Sequence, residues 1–256
     1  MIVLAIETAT IEVGVAVRGP AGLVASSRTR TGRRHAERLH VAIAEACAAA
    51  GVGLGDVEAL AVDVGPGLFT GLRVGLAAVK ALGLALGLPI AGVTSTDALA
   101  FAARHGASAG RVVVPVIDVR RGEVAWALPA NGAGGDGGRW AGPPFLGTPS
   151  ALVAALAPRD GAVLLVGDGA LRYEDALREG LARAGGPALE LAGDELAAPP
   201  VESLAELALS RLLAGDSVGA AELAPVYLRG ADAEPGGWNA RQPGVARVVA
   251  DIAGSP

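Results

Sequence analysis

Apolar residues along this chain fall into short continuous runs bounded by Gly- and Pro-marked turns, and into longer stretches with helical spacing. Ile2 to Ile6 is a continuous apolar run suited to a buried central strand. Thr8-Ala9-Thr10 marks a turn and Val13 to Val17 a second strand; Gly19-Pro20-Ala21-Gly22 then turns the chain into a third, Leu23 to Ser27. A polar, basic connection leads to a helix predicted over His35–Ala50 and ended by Gly51. Leu60 to Val64 reads as a fourth strand. It bends through Gly65-Pro66-Gly67 into a second helix, predicted from about Gly71 to Leu88 and stopped by Pro89. Ile90 to Val93 is a short strand, and Thr94-Ser95-Thr96-Asp97 caps a third helix through His105.

The helix after Gly67 is apolar on nearly every side, interrupted only by Arg73 and Lys80, seven residues apart and so on one face. A helix of that kind must be covered on more than one side. Gly71 with Gly75, and Gly83 with Gly87, make small-x-x-x-small pairs that let another backbone approach closely. Two readings follow: the central helix of a large core, or a helix that packs on its own core and on a second protein. A membrane span is a third reading, opposed by the two charges and four glycines within the run.

At Arg111 the order of elements restarts. Val112 to Ile117 is an apolar strand, Gly122 a turn, and Val124 to Leu128 a returning strand. Asn131 to Gly138 reads as a Gly-dense mobile loop. Then come a helix (Ser150 to Leu156), a strand (Ala162 to Val166), a helix (Leu171 to Ala184) and a long last helix (Val201 to Ala214). Hairpin strands followed by alternating helix and strand, twice over, predict α/β layers with a mixed sheet in each half. The expected boundaries are an N-terminal subdomain over residues 1–107, a C-terminal one over 108–230, and a disordered tail over 231–256, where Gly, Pro and polar residues dominate.

The chain of 256 residues is 52% apolar and 18% charged, so it is a folded globular protein rather than a disordered one. Only 3% is aromatic, so Ala, Val and Leu must build the core. The net charge of −5 lacks the basic excess of a protein that grips a nucleic-acid backbone by itself. The basic clusters are Arg28-Thr29-Arg30 with Arg33-Arg34, and Arg120-Arg121; solvated loop arginines are the plain reading of both. A single cysteine, Cys47, suits a reducing compartment, and the opening MIVLAIE is unlike a signal peptide, so a cytoplasmic location is expected.

Three constellations could carry chemistry. Gly65-Pro66-Gly67 with Gly71 lies between a strand and a helix N-terminus, where an anion is favoured. It lacks the Gly-Lys-Ser/Thr ending of a P-loop and the spacing of a dinucleotide fingerprint, and a tight turn for close strand–helix packing is the better account of it. Glu7 and Asp118 each follow a buried strand at the first turn of their half. Such carboxylates could hold a metal–nucleotide complex between two domains, or could simply cap turns. His35 and His40 stand about 140° apart on a helix and face different ways, which argues against a metal pair. No Gly-x-Ser-x-Gly elbow supports a hydrolase.

Several stretches together resemble the TsaB (YeaZ) family, the partner subunit of the bacterial machinery that makes threonylcarbamoyladenosine in tRNA. They are Leu4-Ala5-Ile6-Glu7-Thr8-Ala9-Thr10, Arg33-Arg34-His35, Gly65-Pro66-Gly67-Leu68-Phe69-Thr70-Gly71-Leu72-Arg73-Val74-Gly75, Gly92-Val93-Thr94-Ser95, Ile117-Asp118-Val119-Arg120-Arg121-Gly122-Glu123-Val124 and Pro225-Val226-Tyr227-Leu228-Arg229. The resemblance implies an α/β fold of the duplicated actin-like, Hsp70-like ATPase (ribonuclease H-like) kind, with two subdomains, each a mixed sheet flanked by helices. It implies a catalytic partner, TsaD, which carries the metal site and the transfer chemistry, and a small ATPase, TsaE. Glu7 stands where the family often has aspartate and Leu68 where it commonly has serine; the latter removes a hydroxyl from the anion-facing turn.

The reading that follows is a non-catalytic scaffold subunit. Its interface, on the helices His35–Ala50 and Gly71–Leu88, would use His35, Leu39, Ile43, Arg73, Val74, Leu76, Ala77, Lys80, Ala81 and Leu84 against TsaD, or against a second copy when TsaD is absent. No cofactor of its own and no metal site is expected, and tRNA is met only through the complex. The place for ATP or ADP, if the assembly holds one, is the junction, near Glu7, Gly65, Gly67 and Asp118. The rival readings are an ATP-dependent phosphotransferase of the same fold, using those residues, and a metallopeptidase.

Overall fold

The computed structural model describes residues 1–32, 34–105, 111–129 and 141–228. The expected loop over Asn131–Gly138, the expected tail over 231–256, Arg33, Arg229 and the His105 side chain lie outside the described residues.

The strands of the first half are β1 (Val3–Glu7), β2 (Glu12–Gly19), β3 (Gly22–Arg30), β4 (Ala59–Asp63) and β5 (Ile90–Val93); the helices are α1 (His35–Ala50), α2 (Phe69–Leu86) and α3 (Ser95–His105). The second half contributes β6 (Arg111–Asp118), β7 (Val124–Trp126), β8 (Phe145–Gly147), α4 (Pro149–Leu156), β9 (Ala162–Val166), α5 (Asp168–Arg172), α6 (Glu174–Arg183), β10 (Leu189–Leu191) and α7 (Val201–Leu213). The sheets have the orders β3-β2-β1-β4-β5 and β8-β7-β6-β9-β10. In each, the central strand pairs antiparallel with the second and parallel with the fourth, and the outer pairs repeat the same senses. This is the duplicated actin-like fold.

Alternation along the central strands separates the layers. Leu4 and Ile6 face α1 and α2 through Leu39, Ala42, Leu72, Leu76 and Val79. Val3 and Ala5 face the other way, onto Val201, Leu204, Ala205 and Leu207 of α7. In the second sheet Val114 and Val116 meet Leu152, Leu156, Leu177 and Leu181 of α4 and α6, while Val113 and Ile117 meet Leu99 and Ala103 of α3. The middle layer is therefore exchanged: α3, from the first half of the chain, packs on the second sheet, and α7, from the second half, on the first. Val218, Ala220, Leu223 and Val226 also return to the α1/α2 core. The core over residues 1–107 is thus completed by residues 201–226, which lie in the stretch expected to form the C-terminal subdomain, 108–230.

Local differences have local causes. The second helix begins at Phe69 and ends at Leu86, because Gly87 adopts φ +68°, the left-handed conformation that closes a helix before Pro89 is reached. The helix expected over Leu171–Ala184 divides at Tyr173 into α5 and α6.

Candidate functional site

The outward side of α2 is an exposed stripe. Thr70, Arg73, Ala77, Ala81 and Leu84 recur at three- and four-residue spacing and all are exposed, Leu84 at 75%. Beside it, His40, Ile43, Ala44, Cys47 and Leu54 of the α1 side, with Ala78 and Leu82 of α2, line an apolar groove of about 320 Å³. At the N-terminal end of the stripe Arg73 lies 3.7 Å over the Phe69 ring and donates from Nε to the Tyr227 hydroxyl at 3.2 Å. Phe69 is 54% exposed. A continuous apolar strip with an arginine and two aromatics at one end has the composition of a protein interface core and rim.

Of the residues expected to form the interface, Arg73, Ala77, Ala81 and Leu84 are exposed, and Ile43, Val74 and Lys80 are half-buried. His35, Leu39 and Leu76 are buried inside the subunit, so they brace the helices from behind and present nothing outward. His35 donates from Nε2 to the Thr10 carbonyl at 2.8 Å, tying α1 to the turn after β1.

The glycines of α2 face inward, onto the chain itself. A Cβ on Gly71 would stand 2.1 Å from the Thr8 carbonyl oxygen, and one on Gly75 would stand 2.3 Å from the Thr8 hydroxyl. Thr8 in turn donates to the Gly71 carbonyl at 2.9 Å. The close-approaching backbone anticipated from the glycine spacing is thus that of residues 8–9 in the same subunit. Phe69–Leu86 is the one helix among the described residues long and apolar enough to cross a membrane, but this inner face is fitted to a protein strand end, not to lipid.

The same packing occupies the proposed anion turn. A Cβ on Gly67 would meet the Ala9 carbonyl at 2.3 Å, so the turns after β1 and β4 are pressed together. The Gly65 N–H donates to Asp63 Oδ1 at 2.7 Å, an internal carboxylate where an external anion would sit. Glu7 is buried and accepts from the Ala9 N–H at 2.7 Å. Burial first, then the Asp63 charge, hold its carboxyl well above the ordinary range. Asp118 belongs to a separate cluster: Arg120 bonds its Oδ2 at 2.8 Å and Arg172 approaches that oxygen at 3.3 Å. Its N–H donates to Asp168 Oδ1 at 2.9 Å. Among the described residues Glu7 and Asp118 have no hydrogen-bond partner in common, and two guanidiniums pair with the second.

Sequence reasoning gave no site role to Asp63, Asp97, Asp168, Arg172, Arg211, Phe69 or Tyr227. The signal for Asp63 was present: β1, β4 and β6 are each an apolar run closed by an acid. Burial pushes Asp63 up to about 7 against the hydrogen bonds from Ser95 and Gly65, and pushes Asp168 up to about 6. Arg211, buried in α7, donates to Asp97 Oδ2 at 2.8 Å and to the Gly92 carbonyl, a link between chain halves that no local pattern announces.

The family model described as TsaD, tRNA N6-adenosine threonylcarbamoyltransferase, matches residues 25–133. An uncharacterized protein of Mycobacterium tuberculosis is 42% identical over 132 residues, 51% of this chain and 60% of that protein. The chain thus spans about three fifths of the mycobacterial relative's length. The tRNA threonylcarbamoyladenosine biosynthesis protein TsaB of Escherichia coli is 30% identical over 231 residues, 90% of this chain and 95% of that protein. The chain belongs to the TsaB family. Among solved structures, YeaZ from Pseudomonas aeruginosa has a TM-score of 0.71 at 28% identity, covering 88% of this chain and 100% of its own. That match spans both halves of the fold.

Proposed function

We propose that this chain is the non-catalytic accessory subunit of a tRNA threonylcarbamoyladenosine assembly in the cytoplasm, and that α1 and α2 are its docking face for a TsaD-like catalytic subunit. The observation that carries the reading is the exposed Ala77–Ala81–Leu84 stripe beside an apolar groove. Water solvates such a strip poorly, and small residues let a facing helix approach closely. The TsaD family match over residues 25–133 spans both helices. A TsaD-like partner would therefore offer related helices, and a second copy could occupy the same face isologously when that partner is absent. A TsaE-like ATPase would join this pair. The chain alone is assigned no nucleotide, since Asp63, Arg120 and Arg172 already engage the groups that would receive one.

Ala81→Glu tests this, because Ala81 is exposed and the change should alter folding stability by no more than about 0.5 kcal/mol. The expected outcome is loss of co-purification with the TsaD-like subunit at an unchanged unfolding midpoint. A variant that keeps its partner puts the interface elsewhere. Calorimetric titration of the isolated chain with Mg-ATP addresses the phosphotransferase alternative: binding with turnover would replace the scaffold reading.

A further inference from the structure

At the C-terminal ends of β1 and β4, two buried carboxyl groups lie on adjacent strands, and among the described residues no cation pairs with either. The strand register sets Ile6 beside Val62, so Glu7 and Asp63 follow side by side on paired parallel strands and point to the same side of the sheet. Their exposures are 1% and 0%. Asp63 Oδ1 accepts from the Gly65 N–H and the Ser95 hydroxyl, both at 2.7 Å. Its other oxygen, Oδ2, is fully buried and has no hydrogen-bond partner among the described residues.

The surrounding charged and titratable groups are Glu12 of β2, His35 of α1, Asp97 of α3 and Arg211 of α7. Glu12 and Asp97 add negative charge to the neighbourhood of Glu7 and Asp63 respectively. Arg211 is committed to Asp97 and the Gly92 carbonyl, and His35 to the Thr10 carbonyl. The second half of the fold supplies the contrast. There β6 and β9 repeat β1 and β4, Asp118 closes β6 and Asp168 follows the end of β9, and Arg120 and Arg172 both pair with Asp118. Two bare carboxylates side by side in a dry site are far less stable than one carboxylate and one acid.

We propose that the folded subunit holds one proton between Glu7 and Asp63, and that this proton latches the turn from which α2 starts and the first turn of α3. With the proton in place, Asp63 Oδ1 ties Gly65 to Ser95, and the Gly65 carbonyl accepts the Ser95 N–H at 3.0 Å. Without it, like charges face each other beneath both helices and that turn opens more readily. The proposal does not depend on what α2 docks against.

Both carboxyls titrate above their ordinary range, so the folded state keeps the proton at a pH where the unfolded chain has lost it. The stabilisation is complete in acid, below about pH 4. It declines as pH rises through about 7, where Asp63 titrates, and is gone only at higher pH, where Glu7, held further above its ordinary range, gives up the last proton.

The test is thermal unfolding of the full chain from pH 5 to pH 8.5, for the parent, Asp63→Asn and Glu7→Gln, with and without Mg²⁺. The parent's midpoint should fall across neutrality. In either variant that fall should move to lower pH or vanish, and amide exchange at Gly65 and Ser95, corrected for its intrinsic pH dependence, should slow at pH 8. Either variant keeping the parent's profile overturns the shared proton. Recovery of the parent's midpoint at pH 8 by Mg²⁺ also overturns it, since a cation would then be the natural occupant. Should Asp63→Asn fail to fold, the parent's infrared spectrum near pH 6.5 decides: a protonated carboxyl band that Glu7→Gln removes supports the pair, and no such band refutes it.

Discussion

Gly71 is the residue with the least room. Its missing Cβ makes space for the Thr8 carbonyl, and that oxygen is backbone, which cannot swing aside. Gly71→Ala should lower stability by about 1–3 kcal/mol, the usual range for overpacking, as read from a denaturant midpoint. Arg211 and Asp97 are both nearly buried, and Arg211→Met would remove the guanidinium bonded to Asp97 Oδ2 at 2.8 Å. A loss of about 3–5 kcal/mol is expected by the same measurement, with a smaller loss in Arg211→Met/Asp97→Asn. Asp168, raised to about 6 mainly by burial, contributes stability that is complete below the ordinary carboxylate range and lost as pH rises to about 6. Asp168→Asn should remove that fall from a pH series of unfolding midpoints. Single residues were legible here only in part. Glu7, Gly65, Gly67 and Asp118 stand out as acids and glycines after apolar runs, but what each touches depends on strand register and on chain neighbours far away.

The elements were read more completely than their contacts. The α1 boundaries and β9 follow from periodicity alone, since long helical stretches and continuous apolar runs carry strong signals. β8 and β10 have three residues each, too few for any alternation to show. The all-round apolarity of α2 implied two covered faces; its own sheet and α1 cover one, and the other is the exposed stripe. Its Gly71 and Gly75, however, are matched to Thr8 and its Gly83 to Ile90 of the same subunit, leaving the alanine stripe for whatever docks. Leu84→Ala isolates that outer face. With 75% of Leu84 exposed, truncation should change stability by no more than about 0.5 kcal/mol. Partner affinity, measured by calorimetry, should weaken by about 1 kcal/mol or more if Leu84 anchors in the partner.

For the molecule as a whole, the repeating element order revealed the duplication, and no local pattern could reveal the exchange of α3 and α7. That exchange depends on which sheet face each helix finds, a long-range choice made by apolar surfaces of similar composition. A fragment of residues 1–107 should consequently fail to fold: Val3, Ala5, Ala59 and Ala61 would lose their cover of Val201, Leu204 and Leu207. Its circular dichroism and proton spectra should be those of a loosely collapsed chain, and adding a peptide of residues 198–228 should restore dispersion. The same arrangement bears on synthesis. β1 leaves the ribosome first, yet the helix that seals its second face ends at Leu213. Residues 1–213 must all be translated before the first sheet is closed, so the nascent protein travels with one apolar face open to chaperones until α7 arrives.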